Sequence, residues 1–362
     1  MQPKNGIMTN RRNDEAPFVF GVRVEGETFT DRRDETERLK MNFKYGVNTI
    51  LISPRRMGKT SLVDKVCSLV EGSEVRIARI DAFSCRSEYD FINSFATAVV
   101  RATSNRWEEW IENASNTTTE DVLALPEKIA EEKGYRIVVC IDEFQQIGDF
   151  QDSLTFQKKL RSVWQLQKRV SYCLYGSKKH IMETMFQNHS YPFYRFGDII
   201  YLQKISEEDW VKFICARFEA TGKHIPESIA KEICKLTDRY SSYVQQLAWF
   251  VWLKTQDTAT EEDLRYAVNK LLDSCEPLFI QQTEDLSSYQ MNFLRAIIEG
   301  VNTGFTQSAV LSKYHLGTAA NITRLKKSLT EKDLIMMVAA KRIEMCDPIL
   351  SLWLRERVLS PH

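Results

Sequence analysis

Six residues supply the groups from which phosphate chemistry could be built: Gly58, Lys59, Thr60 and Ser61 in one run, Asp142 and Glu143 in another. In the first run Gly58 lets the backbone approach an anion. Lys59 can reach β- and γ-phosphate oxygens, and the Thr60 hydroxyl can ligate Mg²⁺. The preceding Ser53, Pro54, Arg55, Arg56 and Met57 complete a loop expected to line a nucleoside triphosphate. The usual pattern of such loops begins with Gly, and Ser53 holds that place here. No guanine-reading Asn-Lys-x-Asp run is present, and ATP is the expected nucleotide. In the second run Asp142 would hold the Mg²⁺, directly or through water. Glu143 is placed to orient and polarise an attacking water.

These groups work only if the chain positions them. Ile50, Leu51 and Ile52 read as a buried strand before the loop, and Leu62 to Val70 as a helix after it. A helix start there offers free N–H groups and the positive end of its dipole to an anion. Arg136 to Ile141 contains five apolar residues without alternation, the pattern of a strand covered by helices on both faces. It ends in the two carboxylates, at the end of the strand where open α/β sheets bind ligands. Taken singly, the first run is an ordinary strand-to-helix turn with a surface lysine. The second is a strand running into a solvated acidic turn. Jointly they are far more specific. The joint reading requires Lys59 and the acidic pair to face one cleft across two neighbouring strands.

Further strands are expected at 18–30, 75–80, 171–175 and 199–202. Helices are expected from 31, then at about 88–112, 119–133 and 153–168. Strands alternating with helices imply a parallel sheet covered on both faces. From Ser206 the pattern becomes helical, with segments near 206–221, 226–237, 242–256 and 260–275. The remainder reads as helices near 288–299, 306–314 and 317–331, followed by a hairpin of 334–338 with 342–346. That order suits a winged helix. The expected organisation is a flexible tail over 1–17, a P-loop domain over 18–204, a helical lid over 205–280 and a winged helix over 281–362.

Composition narrows the partners. The 362 residues carry 49 Lys and Arg against 49 Asp and Glu, so no global charge argues for nucleic acid or a membrane surface. Residues 285–362 hold ten Lys and Arg against seven Asp and Glu, a net +3. Within them Asn321, Arg324 and Lys327 lie along the third helix, the one that would enter a major groove. The alternative is a solvated helix face in a protein-interaction domain. The eight cysteines form no Cys-x-x-Cys pair, so neither a zinc site nor a disulfide framework is expected. No stretch approaches a membrane span, no apolar signal core opens the chain, and the cytoplasm is the default location.

The ordered set of motifs resembles the prokaryotic AAA+-like ATPases of the archaeal-type ATPase group, related to origin-recognition initiators and signal-transduction NTPases. The carrying residues are Phe18 to Gly21, Phe29-x-Asp31-Arg32-x-x-Glu35, Pro54-Arg-Arg-x-Gly-Lys-Thr-Ser61 and Asp142-Glu143-Phe144. Gly176-Ser177, Tyr194-Arg195 and Asp347-Pro348 with Trp353-Leu354-Arg355 complete the set. The resemblance implies a P-loop fold with a helical lid and a winged helix. It implies that Ser177 is a polar sensor of the γ-phosphate or attacking water, with a helix N-cap as the alternative. It implies that Arg195 is an arginine finger supplied by a neighbouring subunit, with a surface salt bridge as the alternative. Arg32 and the Phe18–Gly21 strand would lie near the nucleotide base. One departure stands out: the stretch Tyr240-Ser-Ser-Tyr-Val-Gln245 lacks the sensing Arg that many AAA+ proteins carry, so hydrolysis is expected to be slow.

Two functional classes follow. One is an ATP-hydrolysing switch that cycles between ATP and ADP, with a protein partner or a conditional homo-oligomer. The other is a nucleotide-loaded module that contacts DNA or protein with little hydrolysis. A small-molecule kinase fits less well, because no phosphoacceptor pocket is apparent and Glu143 beside Asp142 suits water activation.

Overall fold

The computed structural model describes residues 16–21, 32–104, 118–338 and 342–359. The described residues divide into two compact units, one of 32–204 with 330–337, the other of 16–21, 205–329, 338 and 342–359. The expected tail over 1–17, the segment 22–31 with Phe29 and Asp31, and the end of the helix expected to 112 lie mainly outside the described residues.

The first unit is built on five parallel strands. They are β1 (Thr49–Ile52), β2 (Val75–Asp81), β3 (Arg136–Asp142), β4 (Val170–Gly176) and β5 (Asp198–Tyr201), in the spatial order β2-β3-β4-β1-β5. Helices α1 (Arg33–Tyr45), α2 (Lys59–Val70), α3 (Glu88–Thr103), α4 (Thr119–Lys133), α5 (Ser153–Trp164) and α6 (Lys179–Gln187) connect them. Every residue of β1 and β4 is buried, as continuous apolar runs require when both faces are covered. One expectation is corrected here. β1 and β3 are not neighbours, because β4 pairs with both of them. Strands buried on both faces carry no sequence mark of which strand lies beside them, so adjacency was not readable from the apolar runs.

The register brings the carboxyl ends of the strands together. Ile52 lies opposite Gly176, and Asp81 lies opposite Asp142. Beneath them, Trp164 stacks on Tyr172 with centroids 4.0 Å apart, and Phe144 meets Phe193 edge-on at 5.4 Å. Phe144 is fully buried and immediately follows the acidic pair, so the core anchors the turn that carries Glu143.

The second unit is helical. It contains α7 (Glu207–Glu219), α8 (Glu227–Leu236), α9 (Ser241–Lys254), α10 (Glu261–Thr283), α11 (Ser288–Ile298), α12 (Ser308–Lys313), α13 (Ala319–Glu331) and α14 (Pro348–Trp353). The Ser206 hydroxyl caps α7 by accepting from the Asp209 N–H at 3.0 Å. A capping box of Thr260 and Asp263 opens α10, which runs past the expected end near 275 to Thr283. Strand β7 (Ile343–Met345) lies in this unit, where the Val338 N–H donates to the Arg342 carbonyl at 2.9 Å, whereas strand β6 (Ile335–Met337) belongs to the first unit.

Side-chain bonds knit the helical unit from end to end. Tyr243 donates to Asp347 at 2.6 Å, and Asp347 caps α14. Trp353 and Arg357 both donate to the Glu276 carboxylate of α10. The described part of the strand expected over 18–30 forms no strand. Instead Phe18 packs against Phe213 and Phe218, and the Val19 N–H donates to Gln245, so this segment is anchored in the helical unit rather than extended in a sheet.

Candidate functional site

The loop after β1 turns through two left-handed residues, Arg56 (φ 66°) and Gly58 (φ 84°). At Gly58 a Cβ would meet nothing within 4 Å, so the glycine answers a backbone conformation rather than a steric limit. Lys59 begins α2, and its ammonium folds back onto the loop. It donates to the Ser53 carbonyl at 3.0 Å, the Ser53 hydroxyl at 3.3 Å and the Pro54 carbonyl at 2.9 Å. The Ser at the usual Gly position therefore contributes two acceptors to the lysine. Lys59 is only 6% exposed. Burial pushes its pKa down to about 8, Glu143 and Asp142 pull it up, and the Arg55 charge pushes it down again.

Asp142 sits at the end of β3 and meets the loop directly. The Thr60 hydroxyl donates to its Oδ2 at 2.9 Å, and the Glu143 N–H donates to its Oδ1 at 2.8 Å. Burial is the main reason that the carboxyl is raised to about 6. The bond to Thr60 and the Glu143 N–H oppose the shift. A half-buried carboxylate and a hydroxyl in contact form an oxygen donor set of the kind that suits Mg²⁺.

Glu143 adopts a left-handed conformation (φ 48°) just past the strand. Its Oε2 accepts from the Ser177 hydroxyl at 2.8 Å, from the Ser177 N–H at 3.4 Å and from the Gln145 amide. Ser177 therefore directs its hydroxyl at Glu143 and caps no helix: the N-cap of α6 is Lys178, without a side-chain cap bond. The Arg55 Nε in turn donates to the Ser177 hydroxyl at 3.3 Å. Gln145 was not foreseen. It is 3% exposed and lies two residues beyond Glu143 in a 3₁₀ turn, where one more polar residue after an acidic pair gives no sequence signal.

The remaining expected residues divide. Pro54 and Met57 belong to the loop backbone, and Met57 is buried. Arg56 and Ser61 lie in the same loop and helix start, partly buried. Arg32 is buried, with φ 75°, and bonds to the loop. Its guanidinium donates to the Met57 carbonyl at 3.1 Å, to the Gln203 carbonyl and to the Glu35 carboxylate. Arg195 is exposed and lies over the Tyr194 ring at 5.3 Å. It precedes β5, at the amino ends of the parallel strands, whereas Lys59, Asp142, Glu143 and Ser177 gather at the carboxyl ends. On α13, Arg324 and Lys327 are exposed, while the Asn321 amide donates to the Leu316 carbonyl at 3.0 Å and stabilises the turn into the helix.

All eight cysteines are free thiols, and among the described residues no cluster of His, Cys, Asp and Glu could hold a metal by itself. No helix among the described residues is long and apolar enough to cross a membrane.

Comparison with known proteins places this geometry on a known fold. A family model described as "Probable winged helix domain" matches residues 277–356. The Walker-type ATPase PABY2304 of Pyrococcus abyssi superposes with a TM-score of 0.72 at 16% identity, covering 94% of this chain and 99% of that one. The ORC2 protein of Aeropyrum pernix, solved as ADPNP–ADP complexes, superposes with 0.63 at 16% identity, covering 94% and 96%. The ORC1 protein of Aeropyrum pernix in complex with DNA gives 0.52 at 12% identity, covering 91% and 94%. No curated protein matches by sequence. The chain thus has the P-loop ATPase fold of the Walker-type ATPase, with a C-terminal winged helix.

Proposed function

We propose that the chain binds ATP with Mg²⁺ and hydrolyses it to ADP and phosphate, as a cytoplasmic AAA+-like switch whose output is the winged helix. The observation that carries this is the meeting of Thr60 with Asp142 beside a buried Lys59 and the Glu143–Ser177 pair. The half-buried Asp142, raised to about 6, gains from any cation placed against it, which is the fit expected of a metal ligand. Mg²⁺ bound to Thr60 and Asp142 would neutralise charge on the phosphate oxygens.

The chain's own residues would do the rest. The α2 amino end and Lys59 receive the phosphates. Because Oε2 of Glu143 is held by Ser177 and Gln145, Oε1 is the oxygen that can take a proton from water. The water oxygen then bonds to the γ-phosphorus as the bond to the ADP oxygen breaks. Ser177 and Gln145 keep the carboxylate aimed. Phosphate release by the purified protein, set beside Lys59→Ala and Glu143→Gln, tests this reading. Equal release from all three would overturn it.

A second reading is favoured by one observation, the exposed Arg324 and Lys327 on α13: a nucleotide-loaded module that contacts DNA. The DNA complex of the Aeropyrum ORC1 protein lends it support. Duplex binding that weakens steeply with salt would favour it, and salt-independent or absent binding would leave a protein-interaction element. Arg195 would enter the chemistry only from a neighbouring copy, so a solution mass measured with ATP distinguishes a monomeric switch from an oligomer.

A further inference from the structure

We propose that Arg55, inside the phosphate loop itself, reads the terminal phosphate in cis and relays its presence to Glu143 through Ser177. The inference rests on the nucleotide-binding reading above and assigns the cleft a second cation that the family pattern does not supply from elsewhere in this chain. The stretch 240–245 has no arginine, and Arg195, at the amino ends of the strands, would serve a neighbouring copy rather than its own cleft.

Arg55 is different. Its Nε donates to the Ser177 hydroxyl at 3.3 Å, and that hydroxyl donates its one proton to Glu143 Oε2 at 2.8 Å. The three residues come from the ends of β1, β4 and β3 in that order, so a single chain of hydrogen bonds crosses the sheet. A second observation is electrostatic: the Arg55 charge is close enough to be felt by the Lys59 ammonium. The side chain is exposed, and its Nη donors have no hydrogen-bond partner among the described residues. A guanidinium presents a planar fork of donors suited to phosphate. Lys59, in contrast, has its ammonium bonded to three loop acceptors.

ADP and ATP therefore differ at this residue. The β-phosphate is the business of Lys59 and the α2 amino end. A γ-phosphate adds charge beside the loop, which draws the Arg55 fork away from Ser177. The Ser177 hydroxyl then loses its cationic donor, and its bond to Glu143 alone remains. Arg55 thereby senses whether the third phosphate is present, and its charge offsets the charge that develops as the phosphoryl group transfers.

The test is nucleotide discrimination by the full chain, measured as Kd for ATP and for ADP with Mg²⁺ by calorimetry, with turnover as a companion readout. Arg55→Ala is expected to weaken ATP about tenfold while ADP affinity stays within about twofold, and to lower turnover about a hundredfold. Arg55→Lys should restore part of the ATP preference and little of the turnover, since it returns the charge without the fork. Free guanidinium should raise turnover of Arg55→Ala and leave wild type unchanged. An Arg55→Ala protein with wild-type affinities for both nucleotides would overturn the proposal while Lys59→Ala, losing both, left nucleotide binding standing. Equal losses of ATP and ADP in Arg55→Ala would also overturn it, marking a merely structural loop residue. Wild-type protein that takes up neither nucleotide would remove the underlying reading as well.

Discussion

Gly176 and Gln145 fit each other closely: a Cβ on the glycine would stand 1.8 Å from Gln145 Oε1 and 3.1 Å from the Met182 sulfur. The missing side chain is what lets a buried amide reach Glu143. Gly176→Ala should expel Gln145 and cost about 1–3 kcal/mol in chemical unfolding. It should lower turnover with nucleotide affinity retained. Gln145→Ala, which removes the amide without a clash, should reproduce the loss of turnover. Full turnover in both would show that the amide does not aim the carboxylate.

Thr60 and Asp142 are 82 residues apart and 2.9 Å from each other. Thr60→Ala should remove most of the gain in ATP affinity that Mg²⁺ provides, about tenfold, while affinity in chelator changes little. Thr60→Ser keeps the hydroxyl and should behave as wild type. Calorimetry with and without Mg²⁺ checks both.

The buried Lys59 should show itself in the stability of the nucleotide-free protein. Its folded pKa is about 8 against an ordinary 10.5, so the unfolded chain binds more protons between those values. Stability therefore rises with pH from 8 to 10.5, and the cost of the buried charge is complete below 8. Lys59→Met should be more stable than wild type at pH 7 by about 1–2 kcal/mol, after the loss of three hydrogen bonds is set against the relieved charge. The difference should shrink toward pH 10.5. Thermal unfolding across that range measures it, and a destabilised variant with no pH trend would contradict the assignment.

Asp198 behaves in the opposite sense. Burial raises its carboxyl, but hydrogen bonds from Arg38 and Asn42 outweigh that and hold it below 3.8. Arg38 grips it through Nε at 2.9 Å and Asn42 at 2.8 Å, tying α1 to the edge strand β5. The stability it contributes is present above 3.8 and lost as pH falls through the lower folded value. Asp198→Asn should cost up to about 1 kcal/mol at neutral pH, given the partial exposure of the pair. Acid titration of unfolding should find the two proteins converging below pH 3.8.

Arg324 and Lys327 decide the second reading. If α13 meets phosphates, replacing both by Ala should weaken duplex binding alike across sequences and reduce the salt slope by about 2. An unchanged slope would place those charges on a solvated face.

Much of this was readable before the structure. The continuous apolar runs at 50–52 and 137–141 became buried strands, and the carboxylates at 142 and 143 stand at a strand end. What failed to read through has physical causes. The insertion of β4 between β1 and β3 follows from pairing, which runs between backbones and leaves no trace in side-chain type. Arg32 meets the Met57 carbonyl only through the fold, and Gln145 bonds back to Glu143, two residues away, in a turn that no residue type marks. Asn321 looked like one of three polar residues on a helix face, but its short amide bonds the turn beside it. The segment at 18–21 has strand-forming residues, yet its aromatic side chain finds a pocket among helices, and tertiary packing overrode local preference.

The unbroken course of α10 bears on how the protein should be dissected. A truncation placed at 277 or 281 would cut through a helix of 23 residues and separate Glu276 from Trp353 and Arg357. Such a fragment would expose the tryptophan's flank and the apolar face around Phe279, inviting aggregation that could pass for a failure to bind DNA. Fragments meant to carry the C-terminal module alone should begin ahead of the cap at Thr260.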